Sequence, residues 1–307
     1  MKLDFVLCVL LPLIIFLFIL GNLARSYAKV RLMTLRQAWS WSVVAAFFAL
    51  LAILLSFEPL GVSTKWIERA WFLTFVLATI PGISVLGARK PGNVAWNWFI
   101  LLPLCLVLFL PAVDRTGITK QIDLEWPRYF GHCFVLLMGV GNYFGTRDTL
   151  KSMLFFSSVV GLGLTFTPAV DAIPSIEPQS LRALSVLFLL PLAFPKRLST
   201  VRRTRGFSPE NIWREFRDAY GIVWAKRVMD RVNRSAEEEN WPDRLGLDGI
   251  VSCKKNRNSK EIEHSNQRFR DILRWQLKRF YDDDWIAAYF PTDEETNFPQ
   301  ESPDRPL

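Results

Sequence analysis

Apolar runs dominate the chain up to about Pro195, separated by short polar clusters, and beyond that point charged residues recur every few positions. A bilayer core of about 30 Å takes roughly 20 apolar residues as helix. The runs Leu3 to Leu20, Ala38 to Phe57, Ala70 to Leu86, Val94 to Val113, Phe130 to Phe144, Met153 to Val170 and Leu181 to Phe194 supply the candidate spans. The fifth and seventh are short, and Tyr129 at headgroup level and an outward-snorkelling Arg182 are expected to extend them. The pattern predicts an all-α fold: a polytopic membrane helix bundle of about seven spans over residues 1–195, with a small helical cytoplasmic domain over 196–291. Residues 292–307 read as an acidic, proline-rich disordered tail.

Lys2 ahead of the first run raises the alternative of a signal peptide. The run is longer than a signal core, and Arg25, Lys29, Arg31 and Arg36 follow it as a stop-transfer block would, so an uncleaved anchor is expected.

Charge fixes the expected orientation, because Lys and Arg collect on the cytoplasmic side of spans. Loops one, three and five and the segment after the last span carry Arg25, Lys29, Arg31, Arg36, Arg89, Lys90, Arg147, Lys151, Lys196, Arg197, Arg202, Arg203 and Arg205, with Asp148 as their acid. Loops two, four and six mix Lys65, Arg69, Arg115, Lys120, Arg128 and Arg182 with Glu58, Glu68, Asp114, Asp123, Glu125, Asp171 and Glu177. An odd number of spans in the cell membrane, N-terminus outside and C-terminal domain cytoplasmic, fits every loop. Tryptophans at 39, 41, 66, 71, 96, 98 and 126 mark the starts of runs two to five, where indoles favour the interface.

Within the runs ionisable groups are sparse. His132 lies at the outer end of run five and is expected at the interface, bonded to water or a carbonyl. Asn97 and Asn142 are the deepest strong hydrogen-bonding groups and the candidates for a polar site at depth. Gly139, Gly141 and Gly145, with Gly161 and Gly163, suggest close helix packing. Prolines 12, 81, 103, 111, 168 and 191 allow the broken helices of transporters but are common in spans generally.

Gly82 and Gly87 have phosphate-loop spacing, but Ala88 and Arg89 stand where Lys and Ser or Thr are needed. No catalytic constellation, cofactor motif or metal cluster is legible, and the four cysteines form no Cys-x-x-Cys pair. The formal charge of +8 belongs largely to the membrane half, and after Pro195 acids and bases nearly balance, so no nucleic-acid partner is expected.

In the C-terminal part, Lys196, Arg197, Arg202, Arg203 and Arg205 form a juxtamembrane segment suited to anionic inner-leaflet lipids. Ser208 and Pro209 open an amphipathic helix carrying Ile212, Phe216, Tyr220, Val223 and Val228. A turn-rich stretch follows around Gly246 and Gly249, then a second helix from about Glu261 to Tyr281. Asp284 is expected to cap a short helix. The partners implied are the bilayer and a protein bound by this domain. Two functions follow: a non-enzymatic organiser or regulator acting through the cytoplasmic domain, or a permease for a neutral or lipid-like molecule.

Overall fold

The computed structural model describes residues 9–57, 61–113, 122–170, 177–189, 209–241, 243–252 and 259–290. The basic segment from Lys196 to Arg205, the Ser208 cap and the tail over 292–307 lie outside these residues. The N-terminal part forms α1 (Leu11–Val30), α2 (Arg36–Leu55), α3 (Thr64–Leu86), α4 (Asn93–Trp96) running through a π turn (Asn97–Leu101) into α5 (Leu102–Val113), α6 (Trp126–Gly141), α7 (Thr149–Leu164) and α8 (Pro178–Leu187). The C-terminal part forms α9 (Pro209–Glu238), β1 (Asp243–Gly246), β2 (Gly249–Ser252), α10 (Ser259–Leu277) and α11 (Asp283–Tyr289).

Four helical stretches among the described residues, α1, α2, α3 and Asn93–Ala112, are long and apolar enough to cross a membrane. Their outer surfaces expose Leu17, Phe18, Phe47, Phe99 and Leu106, and α6 exposes Phe130 and Phe134. Large apolar side chains exposed in this number suit contact with lipid rather than water.

Helix α3 is the axis of the bundle. Of its apolar stretch 61% is buried, against 17%, 28% and 22% for the other three, and it touches α2, α5, α6 and α7. The helices α1, α2, α3, α6, α7 and α8 close a ring, because α8 returns to α1. Glycines permit the tightest crossings. A Cβ on Gly139 would stand 2.9 Å from the Gly82 backbone, and one on Gly163 would stand 2.6 Å from the Phe75 ring. Lipid tails give helices no hydrophobic reason to associate, so such backbone contact must supply the attraction. Gly141, by contrast, faces open space.

The C-terminal part has its own core, in which Trp213, Phe216, Tyr220 and Val228 of α9 meet Phe269, Leu273 and Leu277 of α10 and the following Phe280. Two features depart from the sequence reading. The turn-rich stretch is an antiparallel hairpin, with Gly246 opposite Gly249 and Leu247–Asp248 as its loop, so the fold is not purely α. Trp213 Nε1 donates to Gly246 O at 2.8 Å and Asn233 brackets Leu245 from both sides, which holds the hairpin on α9. The last helix begins at Asp283, one residue before the expected cap, because Asp282 turns away to pair with Lys90.

Loops one, three and five all reach this C-terminal domain. From loop one, Thr34 N donates to Phe280 O at 2.9 Å and Leu32 O accepts from Asp282 N at 2.9 Å. In loop three, Lys90 N donates to Arg279 O at 2.9 Å, and Ala88 enters the domain's core. Loop five contributes Asn142, whose O accepts from Ile222 N at 2.7 Å. At the opposite end, loops four and six meet through Leu124 N and Phe166 O at 2.5 Å.

Gly139→Val is expected to force α3 and α6 apart and to destabilise the bundle by about 1–3 kcal/mol, the usual cost of overpacking. Gly141→Val, whose Cβ meets nothing within 4 Å, should leave the detergent melting temperature near the wild-type value. Equal melting of the two variants would show that this crossing is not the tight one.

Candidate functional site

The polar residues singled out inside the apolar runs are not brought together. Asn97 sits in the π turn, where its Oδ1 accepts from Trp41 Nε1 at 2.9 Å and Ser84 Oγ at 3.2 Å and its Nδ2 donates to Asn93 O at 2.6 Å. It ties α2, α3 and α4 to one another. His132 is 4% exposed, buried among helices near the start of α6. Its ring nitrogens face Arg128 O at 2.7 Å and Leu108 O at 3.1 Å, and its ring stacks on Phe75.

Asn142 lies past the end of α6, and its role is in the docking of the C-terminal domain rather than at depth in the bundle. Helix α9 breaks at Gly221, with φ +79° and ψ −179°, a conformation open to glycine. Into that break Asn142 Nδ2 donates to Tyr220 O and Asn142 Oδ1 accepts from Val223 N, each at 2.9 Å. A Cβ on Gly221 would stand 2.3 Å from this amide.

Arg182 does not snorkel. It is 3% exposed on its side chain and pairs through Nη2 with Glu68 Oε1 at 2.7 Å, Glu68 being 12% exposed. Helix α3 starts before the apolar run that defined it, at Thr64, and so carries Glu68 into the bundle. The guanidinium also lies over Trp71 and Phe166, 5.9 and 5.5 Å from the ring centres. Acid and base on two separate runs at the same expected end was the available signal. The pair pins α8 against α3, and these two helices share the walls of a cleft.

That cleft has a volume of about 550 Å³ and lies among α1, α2, α3, α7 and α8. Phe16, Ala45, Ala46, Ala49, Phe155, Val159, Leu162 and Leu189 make its wall apolar. Three of its hydroxyls are turned back on their own helices: Ser42 donates to Ala38 O, Thr74 to Ala70 O and Ser185 to Leu181 O, at 2.8 to 2.9 Å. From Phe16 to Lys29 along α1 the cleft runs about 20 Å at 1.5 Å per residue. At the end nearest loops one and five stand Arg25, Lys29 and Lys151, with Asn22 and Ser26 beside them. None of the three cations has an acidic partner among the described residues. The cleft is therefore amphipathic along its length, greasy over most of it and positive at one mouth.

Comparison with known proteins finds no matching family model, no similar curated protein and no similar solved structure. Chemistry and geometry alone carry the functional argument.

Replacing Glu68 by Leu should strand the Arg182 charge in a dry setting and cost about 3–5 kcal/mol, whereas Glu68→Leu with Arg182→Leu should recover most of that loss. Thermal unfolding in detergent reads both. A double variant as unstable as the single would mean that the two side chains do not act as a pair.

Proposed function

We propose that the chain is a seven-span protein of the cell membrane, N-terminus outside and C-terminal domain cytoplasmic, that binds an anionic lipid-like amphiphile in the cleft. The observation that carries this reading is the three acid-free cations at one mouth of a long apolar cleft. An apolar chain lying along the cleft would bring its anionic head to Arg25, Lys29 and Lys151, at the level where span ends meet lipid headgroups.

The orientation draws support from the contacts of loops one, three and five with a single C-terminal domain. Helices that alternate in direction leave odd-numbered loops at one end, and those are the loops rich in Lys and Arg. Of the two functions weighed from the sequence, the geometry favours the lipid-like ligand, now with an anionic head. Phe216 and Tyr220 pack on Phe269, Leu273 and Leu277 in the C-terminal domain's own core, an arrangement that suits a partner-binding domain but leaves these side chains themselves no open face for a partner.

Purification from a membrane containing anionic lipids into a mild nonionic detergent, followed by lipid extraction, tests the ligand. Wild-type protein is expected to retain anionic lipid near one per chain. Arg25→Gln with Lys29→Gln should weaken retention about thirtyfold, each charge near a headgroup being worth about 1 kcal/mol. Ala45→Trp should block the cleft without touching the charges. Retention that survives both changes would sink the proposal.

Topology is tested separately. With native cysteines replaced, a cysteine at Trp66 is expected to react with a membrane-impermeant reagent on intact cells. Reaction only after lysis would reverse the orientation.

A further inference from the structure

A second concentration of charge lies apart from the cleft, where loop three meets α9 and the end of α10. Arg89 stands at its centre and takes part in two adjoining hollows of about 470 and 440 Å³. The first is lined by Lys90, Pro91, Trp275, Lys278 and Arg279, the second by Trp224, Arg227, Arg231, Arg234 and one acid, Asp230. Asp230 already faces Lys226 at 3.6 Å, and Lys90 is paired with Asp282. Six cations therefore converge without acidic partners among the described residues: Arg89, Arg227, Arg231, Arg234, Lys278 and Arg279.

These side chains are not simply splayed into solvent. Arg227 lies over the Trp224 ring at 4.8 Å and Arg279 over the Trp275 ring at 5.1 Å, so each guanidinium has one face held by an indole. Arg89 Nε is buried and has no hydrogen-bond partner. Burial first, then the charges of Arg279, Arg231 and Arg227, hold the Arg89 guanidinium below its ordinary pKa. Like charges gathered in this way repel one another, and an anion that enters between them relieves the repulsion. Guanidinium forks match phosphate oxygens in pairs, and two hollows sharing one arginine suit a ligand with more than one phosphate group.

We infer that the hollows on either side of Arg89 form a site for a multiply phosphorylated anion, held by Arg89, Arg279 and Lys278 on one side and by Arg227 and Arg231 on the other. Arg89 follows the end of α3 by three residues, so the site lies where a polyphosphorylated lipid headgroup would reach it, and a soluble polyphosphate presents the same chemistry. The site is separate from the cleft and does not depend on the ligand proposed there.

The full chain in nanodiscs tests both sources. One arm adds inositol hexakisphosphate to discs of phosphatidylcholine, and the other places phosphatidylinositol bisphosphate in the discs; thermal stabilisation and direct binding are read in each. Binding in either arm is expected, and the lipid arm alone would identify a headgroup. Arg227→Gln with Arg231→Gln changes two exposed side chains and should weaken binding about thirtyfold. Arg147→Gln with Arg268→Gln removes the same charge elsewhere and should leave it unchanged. Failure of both arms with wild-type protein, equal weakening in the two double variants, or equally tight binding of a short single-stranded RNA would overturn the inference.

Discussion

At the break in α9, one residue of the membrane half supplies, from its side chain and its backbone carbonyl, the hydrogen bonds that a continuous helix would have made with itself. Asn142 gives a donor to Tyr220 O and acceptors to Ile222 N and Val223 N. A buried amide left unpaired costs about 1–3 kcal/mol, so this wedge adds backbone hydrogen bonds to the apolar contact that Ala88, Leu32 and Met33 make with the same domain. The neighbouring contacts have the same character. Trp224 Nε1 donates to Val85 O at 2.9 Å, Thr34 Oγ1 to Ala88 O at 2.8 Å, and Tyr220 Oη to Phe280 O at 2.7 Å. Burial pushes the Tyr220 phenol pKa well up, so the hydroxyl remains a donor even in alkaline solution where an ordinary phenol would begin to ionise. With three loops held in this way, the ends of α1, α3 and α6 are fixed relative to one another.

Inside the bundle, association rests on shape and on a few polar ties. The backbone contact of Gly82 with Gly139 sets α3 against α6, Asn97 ties α2 and α3 to the π turn, and Glu68 with Arg182 sets α8 against α3. Each tie has α3 as one party. The cleft lies where no such tie crosses, between the α1–α2 pair and the α7–α8 pair, and its walls can stay open because the surrounding helices are fixed elsewhere.

The apolar runs Ala38–Phe57, Ala70–Leu86 and Val94–Val113 fall on helices long and apolar enough to cross a membrane, whereas Leu3–Leu20 matches only the first half of α1, which continues through Arg25 and Lys29 to Val30. The run from Ala70 to Leu86 matches the C-terminal part of α3, yet the charged turn ahead of it, with Glu68, is also helical and enters the bundle. A hydropathy pattern assigns charge to loops and cannot show that two opposite charges will neutralise each other across the fold. The hairpin escaped for another reason: its strands are four residues each, and Gly246 and Gly249 mark a turn without showing that the residues either side of Leu247–Asp248 pair as strands. Asn142 was read as a polar group at depth, because only the fold brings the Gly221 break to it from 79 residues further along the chain. The cations at the cleft mouth were visible from the start as orientation signals. Their place at the mouth of a cleft depends on which helices stand beside α1.

The bonds from loops one and three end at Arg279, Phe280 and Asp282, close to the last described residue. Every helix of the bundle precedes these residues in the chain. During synthesis from the N-terminus, the membrane helices can insert and meet while Thr34, Leu32 and Lys90 still wait for their backbone partners. The closing contacts therefore follow every helix of the bundle, and they form only on a chain translated past Asp282. A chain that stops short of Arg279 would leave the backbone groups of Thr34, Leu32 and Lys90 without these partners, so the order of synthesis also sets the order in which the two halves lock.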